Sequence, residues 1–484
     1  MKSVYLFALL LPIVSSASVS RIEKRKTLNA FCIASFSAET LLCLLICLSP
    51  LADLRLFTLG GLDFSLHPDR TGTVFALLFA VLFLLSDIFA DEYLAHDSRP
   101  KGFYAAFFLT LASLVGLSLS DNLHTYYMFF ECLTLTSFPL ILHDRQAQSR
   151  KAAVKYLCYS LLGAALVLFG MFGINELFGD MSFIRGGHGA VEGKEKLALA
   201  LSFVTVLGFG CKAGIMPLHD WLPTAHPQAP APASAVLSGC VTKAGAIGIL
   251  RVIYYIFGEE LLSGTWVQTA LIIMAAVTIF CGSMLAFKEK NLKKRLAYST
   301  VSQVSYALFA MFLMSEAGMA AGLAQLIFHA VTKVCLFLCS GAMLTAFGHD
   351  RKLASDYQGM GKKEPLLFAV FTVASLSLIG IPPFAGFSGK WAILSTAVMT
   401  ASPAAMAGVA AMCASALLTG LYLLDVIIYA CWPAKSAALI PDSEIHGNGT
   451  KINVSLTVLA VLIILLSVFA DKIVAVFEAA AGLM

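Results

Sequence analysis

The chain has 484 residues, 59% hydrophobic and 13% charged, with a mean hydropathy of +0.83. Such values place it among polytopic membrane proteins and leave no room for a soluble domain. The net charge of +4 is small for this length, and no basic stripe with interleaved aromatics occurs, which excludes nucleic acid as a partner.

Windows of about 20 apolar residues recur from the Leu6–Val14 run to the Val454–Phe469 run and predict about fourteen spanning helices. The first stretch, Met1 to Ser20, has the letters of a signal peptide. A first spanning helix is the favoured reading, because Arg21, Lys24, Arg25 and Lys26 follow it like an inside-facing loop. Glu39 then lies in an apolar run, as Asp425 does much later, and each is expected at a neighbour or an interface rather than on a main pathway. The scattered cysteines, among them Cys43/Cys47 and Cys335/Cys339, form no metal-type pair and read as buried thiols.

Basic residues cluster in alternate loops: Arg21–Lys26, Arg99 with Lys101, Arg145 to Lys155, Lys288 to Arg295, and Arg351 to Lys363. The positive-inside rule puts these loops in the cytoplasm and both termini on the outer side of a cell (inner) membrane. The Lys288–Arg295 stretch is expected to anchor a helix at the cytoplasmic surface.

Charge is most informative where it should be least tolerated. Glu131 stands in Phe129-Phe130-Glu131-Cys132-Leu133, and Lys212, Lys243, Lys333 and Lys390 lie in or beside apolar stretches. A charge at the bilayer centre costs about 2.5–3.5 kcal/mol or more, so such groups face a bundle interior and mark ion or proton pathways. A lone buried Glu131 needs a partner, and Lys212 is the obvious candidate.

Proline and glycine break the apolar pattern twice. Gly208 to Ala235 carries Lys212, Gly214 and Pro217, and Leu376 to Trp391 carries Gly380, Pro382, Pro383 and Lys390. Broken helices in corresponding places of two halves are a pointer to a transport site. The expected division is 1–101 for the N-terminal helices, 102–257 and 265–430 for two five-helix repeats, and 431–484 for a C-terminal loop and last spanning helix.

Other letters mislead. Gly208-Phe209-Gly210-Cys211-Lys212-Ala213 matches a dinucleotide fingerprint but sits in a membrane helix. His219, Asp220 and His226 are read as lining a proton entrance or capping backbone rather than holding a metal. Asn448-Gly449-Thr450 matches a glycosylation acceptor but follows an inner loop. No cofactor or metal site is expected.

The run Lys212-Ala213-Gly214-Ile215-Met216-Pro217-Leu218-His219-Asp220-Trp221-Leu222-Pro223-Thr224-Ala225-His226, with Ala229-Pro230-Ala231-Pro232 leading to Lys243, resembles the signature of the antiporter-like proton-translocating membrane subunits. These occur in respiratory complex I, in multisubunit sodium/proton antiporters and in energy-converting hydrogenases. The likeness extends to Leu296–Gln303, to His329-Ala330-Val331-Thr332-Lys333 and to Gly380-Ile381-Pro382-Pro383 through Lys390, and is weakest in the opening helices and the last.

The resemblance implies an all-α polytopic fold of about fourteen transmembrane helices, with two inverted five-helix repeats and two broken helices. It implies a polar axis in which Glu131 pairs with Lys212, Lys243 follows, His329 and Lys333 form a central relay, and Lys390 is the terminal group. A terminal lysine points away from those complex I members that carry a glutamate there, and the absence of a long C-terminal extension makes the largest complex I subunit the poorer match.

Lysine suits such an axis because desolvation and a carboxylate partner compete to set its charge. Driving a paired buried lysine through several pKa units takes roughly 4–7 kcal/mol per cycle, which a redox reaction or ion gradient elsewhere must supply. The expected function is a proton-translocating subunit of a membrane complex of NADH dehydrogenase, hydrogenase or cation/proton antiporter type. Its partners are other membrane subunits, the lipid bilayer and protons, with Na+ left open, and it has no redox centre of its own. A stand-alone secondary transporter and a structural subunit without conduction are the alternatives.

Overall fold

A computed structural model of the protein describes residues 2–189, 191–348, 351–433, 441 and 445–481. Eleven of the helices there are long and apolar enough to cross a membrane, as expected of a multi-pass membrane protein.

α1 (Lys2–Val19) and α2 (Arg25–Leu48) lead into a β-hairpin of β1 (Leu54–Leu59) and β2 (Leu62–Leu66). The hairpin corrects the all-α expectation. Its signal is the alternation Leu54-Arg55-Leu56-Phe57 ahead of Gly60-Gly61, where both glycines take positive φ (58° and 81°), the backbone a two-residue hairpin turn needs. Asn122 pins it to the bundle by donating from Nδ2 to Asp63 O at 2.9 Å.

Four long helices follow: α3 (Arg70–Tyr93), α4 (Pro100–Ser118), α5 (Leu123–Ile141) and α6 (Ala147–Phe178). α1 lies against α4, where Ser16 Oγ donates to Ala105 O at 2.9 Å. α7 (Glu195–Ala213) stops at the first break, and the short α8 (Trp221–Ala225) lies within it. α9 (Ala231–Val236) and α10 (Thr242–Arg251) are continued by π-helical turns at Leu237–Val241 and Val252–Phe257. Local π-turns of this kind are frequent at functional sites.

Beyond the short α11 (Glu259–Leu262) come α12 (Trp266–Lys288), α13 (Leu292–Phe312) and α14 (Glu316–Phe347). α15 (Pro365–Ile379) and α16 (Ala385–Thr400) flank the second break, and α17 (Pro403–Cys431) and α18 (Thr450–Val468) follow. α19 (Ala470–Ala481) then packs on α14, a helix beyond the last one expected from sequence. Of the expected C-terminal loop, 434–440 and 442–444 lie outside the described residues.

One end of the bundle gathers the basic residues. Arg25 reaches Leu94 O, Lys101 Nζ donates to Ser20 O at 3.1 Å, and Lys293 Nζ to Ala229 O at 3.1 Å. The Lys288–Arg295 stretch does more than anchor at a surface, because Lys293 and Arg295 turn inward. Arg295 donates to Tyr422 O at 2.9 Å and to Asp425 Oδ2 at 3.0 Å. Asp425 thus has an ion-pair partner within the chain.

The glycines of the fingerprint-like run serve packing. A Cβ on Gly208 would lie 2.6 Å from Gly163 O, and one on Gly163 2.7 Å from Gly208 O. α6 and α7 thus approach backbone to backbone, as small residues allow between membrane helices. α10 is buried throughout and α14 from Gly318 to Leu344, and the two form the centre of the bundle.

Candidate proton pathway

The two breaks are built alike. α7 ends at Gly214 (φ 87°), where the N–H groups of Gly214 and Ile215 both bond Gly210 O at 2.8 and 3.0 Å. α15 ends at Gly380 (φ 89°), where Gly380 and Ile381 both bond Leu376 O at 3.1 Å. A left-handed glycine after the last turn satisfies carbonyls that a helix end leaves open. A cis peptide follows each, at Met216–Pro217 and Pro382–Pro383.

A lysine sits at each break. Lys390 Nζ, 6% exposed with its residue, donates to Leu378 O at 2.6 Å and Ile379 O at 2.8 Å, the last carbonyls of α15. A cation there also answers the negative end of the helix dipole. The Tyr306 ring lies beneath it, 5.1 Å from Nζ.

Lys212, in the last turn of α7, reaches across to α5. Its Nζ donates to Thr134 Oγ1 at 2.6 Å and Phe130 O at 3.2 Å, and lies 4.2 Å from the centre of the Phe130 ring. Glu131 is one turn from Thr134 and within electrostatic reach of Lys212, but the two make no ion pair among the described residues. The glutamate is half-buried at the rim of the bundle, and its Oε1 has no hydrogen-bond partner among the described residues.

The centre is assembled from α10 and α14. Lys243, following the first π-turn, donates from Nζ to Ser238 O at 2.8 Å and faces His329 Nδ1 at 2.7 Å. His329 Nε2 is buried without a partner among the described residues. Lys333 stands one turn along α14 from His329 and donates to Leu296 O at 3.0 Å. All three side chains are buried. His329 thus shares the buried centre of the bundle with Lys243 and Lys333.

Buried polar pairs that sequence reasoning did not single out also lie in the bundle. Ser238 meets Thr300 at 2.7 Å, Tyr422 Oη donates to Ser299 Oγ at 2.7 Å, and Gln303 Nε2 to Thr419 Oγ1 at 3.4 Å. Such side chains can rotate to carry a proton between larger steps, and nothing in their sequence spacing distinguishes them from ordinary helix-packing hydroxyls. At the basic end, a small cavity is lined by Pro227, Lys293, Ser340 and Tyr357. His226 is buried close by, with both ring nitrogens unpartnered among the described residues and the ring stacked on Phe337. Asp220 contacts Lys155 rather than either histidine.

Comparison with known proteins gives one consistent picture. Residues 120–419 match the family described as NADH:quinone oxidoreductase/Mrp antiporter, TM. The chain is 31% identical over 376 residues to NADH-quinone oxidoreductase subunit N of Desulforudis audaxviator, covering 76% of this chain and 72% of that protein. It is 30% identical over 431 residues to hydrogenase-4 component B of Escherichia coli, covering 83% of this chain but 62% of that protein. A chain of the Mrp complex from Dietzia sp. superposes with a TM-score of 0.85 over 99% of this chain and 97% of that one, at 22% identity.

Proposed function

Because this chain belongs to the NADH:quinone oxidoreductase/Mrp antiporter transmembrane family, we propose that it is a proton-translocating, antiporter-like subunit of a larger membrane complex. Protons move along Glu131, Lys212, Lys243, His329, Lys333 and Lys390. The observation that carries this reading is the 2.7 Å contact between Lys243 Nζ and His329 Nδ1. It joins α10 of segment 102–257 to α14 of segment 265–430 through two groups able to exchange a proton.

α5, α13 and the α15–α16 pair complete fourteen spans alongside the eleven long apolar helices. α4 starts at the basic end and α12 at the opposite end, and each segment breaks its fourth span after a glycine-capped helix, which supports two inverted repeats. With the basic end cytoplasmic, both termini face outward in a cell membrane.

Glu131 is the switch in this scheme. Placed at the rim, it turns between Lys212 and a neighbouring subunit. Opposite Lys212 it holds the ammonium form, and turned away it leaves Lys212 to release a proton towards Lys243. The driving energy comes from partner subunits, through electron transfer or ion exchange. Proton pumping in vesicles carrying the assembled complex tests the scheme. Lys243→Ala is expected to assemble on a native gel and to abolish pumping, whereas undiminished pumping would show that protons take another course.

A further inference from the structure

A second set of buried polar groups lies outside the lysine line, between α2, α3, α4 and α18. On α3, Phe89 and Tyr93 face Gly341 of α14, with ring atoms 3.3 and 3.4 Å from where a Cβ on that glycine would stand. Asp87 and Asp91 are each two residues from Phe89 and so point to the opposite side of the helix. Asp91 is held there by Asn29 Nδ2 of α2 and by Lys451 Nζ of α18. Ser455, one turn beyond Lys451, donates to Leu85 O of α3 at 2.7 Å.

Asp87, one turn deeper, is 1% exposed, and neither of its carboxyl oxygens has a partner among the described residues. Asn29 Oδ1, Ser86 Oγ and Tyr104 Oη are also buried and unpartnered there. The charged and titratable groups around Asp87 are Arg25 and Cys32 on α2, Asp91 on its own helix, Tyr104 on α4 and Lys451 on α18. Of the two cations, Arg25 is turned to Leu94 O and Lys451 to Asp91.

The set is open on one side and shut on the other. Lys451 is 49% exposed at the side chain and Asp91 7%, which gives a graded descent from water at the basic end to Asp87. One turn further inward from Cys32, Asp87 and Tyr104 stand Phe36, Phe83 and Phe108. Phe36 stacks on Phe108 at 4.1 Å between ring centres, and Phe107 packs on Phe83 at 4.5 Å and on Phe36 at 5.6 Å.

We propose that Asp87 is a proton-binding site separate from the lysine line, loaded from the basic end by way of Lys451 and Asp91 and closed inward by the phenylalanine layer. An ionised carboxylate without a cation is the costliest occupant of such a place, and the neutral acid the cheapest. The acid form carries an O–H donor beside a carbonyl acceptor, whereas the carboxylate offers acceptors alone. The site stores a proton beside the contact between α3 and α18 and does not pass it across the membrane. The proposal stands whether or not the lysine line conducts.

Dicyclohexylcarbodiimide, which modifies protonated carboxyl groups in apolar surroundings, tests it on membranes carrying the whole complex, with adducts mapped by mass spectrometry. The expected result is an Asp87 adduct at neutral pH, falling about tenfold for each pH unit once the acid ionises, and insensitive to added NaCl. Absence of the adduct across the pH range overturns the proposal, and protection by Na+ overturns it in favour of a metal-cation site. An infrared pH-difference spectrum gives a second reading: wild type shows a protonated-carboxyl C=O band that Asp87→Asn lacks. An identical band in both also overturns it.

Discussion

Lys243 Nζ and His329 Nδ1 face each other at 2.7 Å, both buried, with Ser238 O accepting a second hydrogen bond from the lysine. When the lysine is charged, that geometry requires a bare Nδ1, so the neutral imidazole carries its proton on the unpartnered Nε2. The proton on one ring nitrogen is thereby tied to the charge on the neighbouring amine.

His329→Gln tests this coupling, since glutamine can still accept from Lys243 but cannot take a proton. The complex should assemble, and proton pumping should fall by about 10²-fold, the order of a lost acid–base group. A native gel and a vesicle pumping assay measure the two outcomes.

Asp69 and Arg251 tie the opposite end of the bundle together. Arg251 donates to both oxygens of Asp69, at 2.6 and 2.8 Å, while Tyr255 Oη donates to Oδ2 at 3.2 Å. Burial pushes the Asp69 carboxyl up, but the Arg251 charge and hydrogen bonds outweigh it and hold the group below the ordinary carboxylate range. Its contribution is complete above the unfolded value of about 3.9 and is lost as pH falls through the lower folded value.

At neutral pH, Asp69→Ala should therefore lower stability by about 1.5–3 kcal/mol. It should also be more harmful than Arg251→Met, because the arginine side chain is 4% exposed and the aspartate 32%. Melting of the detergent-solubilised protein measures both, and the Asp69→Ala deficit should stay constant with pH until strongly acid conditions.

Gly208→Ala should force α6 and α7 apart, because the new methyl would meet Gly163 O at 2.6 Å and Val167 N at 2.8 Å, both backbone. Overpacking of this kind costs about 1–3 kcal/mol. Lys212 lies one turn further along α7, so pumping should fall with stability. Gly102→Ala, with nothing within 4 Å, is the control expected to change neither.

The lysine positions were legible because a charge in an apolar run is conspicuous letter by letter, and the two breaks were legible because proline and glycine punctuate them. Partners were not. Lys212 turns to Thr134 and Phe130 O rather than forming the Glu131 ion pair, and no spacing rule distinguishes those acceptors. Asp425 finds Arg295 from another helix, a contact that only tertiary packing creates. The hairpin at Gly60-Gly61 was readable from its alternation and turn residues, but a composition dominated by helices masked it. Asp87 was hidden because its meaning lies in what surrounds it on three other helices.

The central claim is that buried lysines carry the moving proton, and Lys390→Arg tests it most directly. Arginine keeps the positive charge and the donors for Leu378 O and Ile379 O, but does not release a proton. Proton pumping is measured in vesicles of the assembled complex. The account predicts an assembled complex whose pumping is abolished; pumping at the wild-type rate would contradict it, because a fixed charge would then suffice.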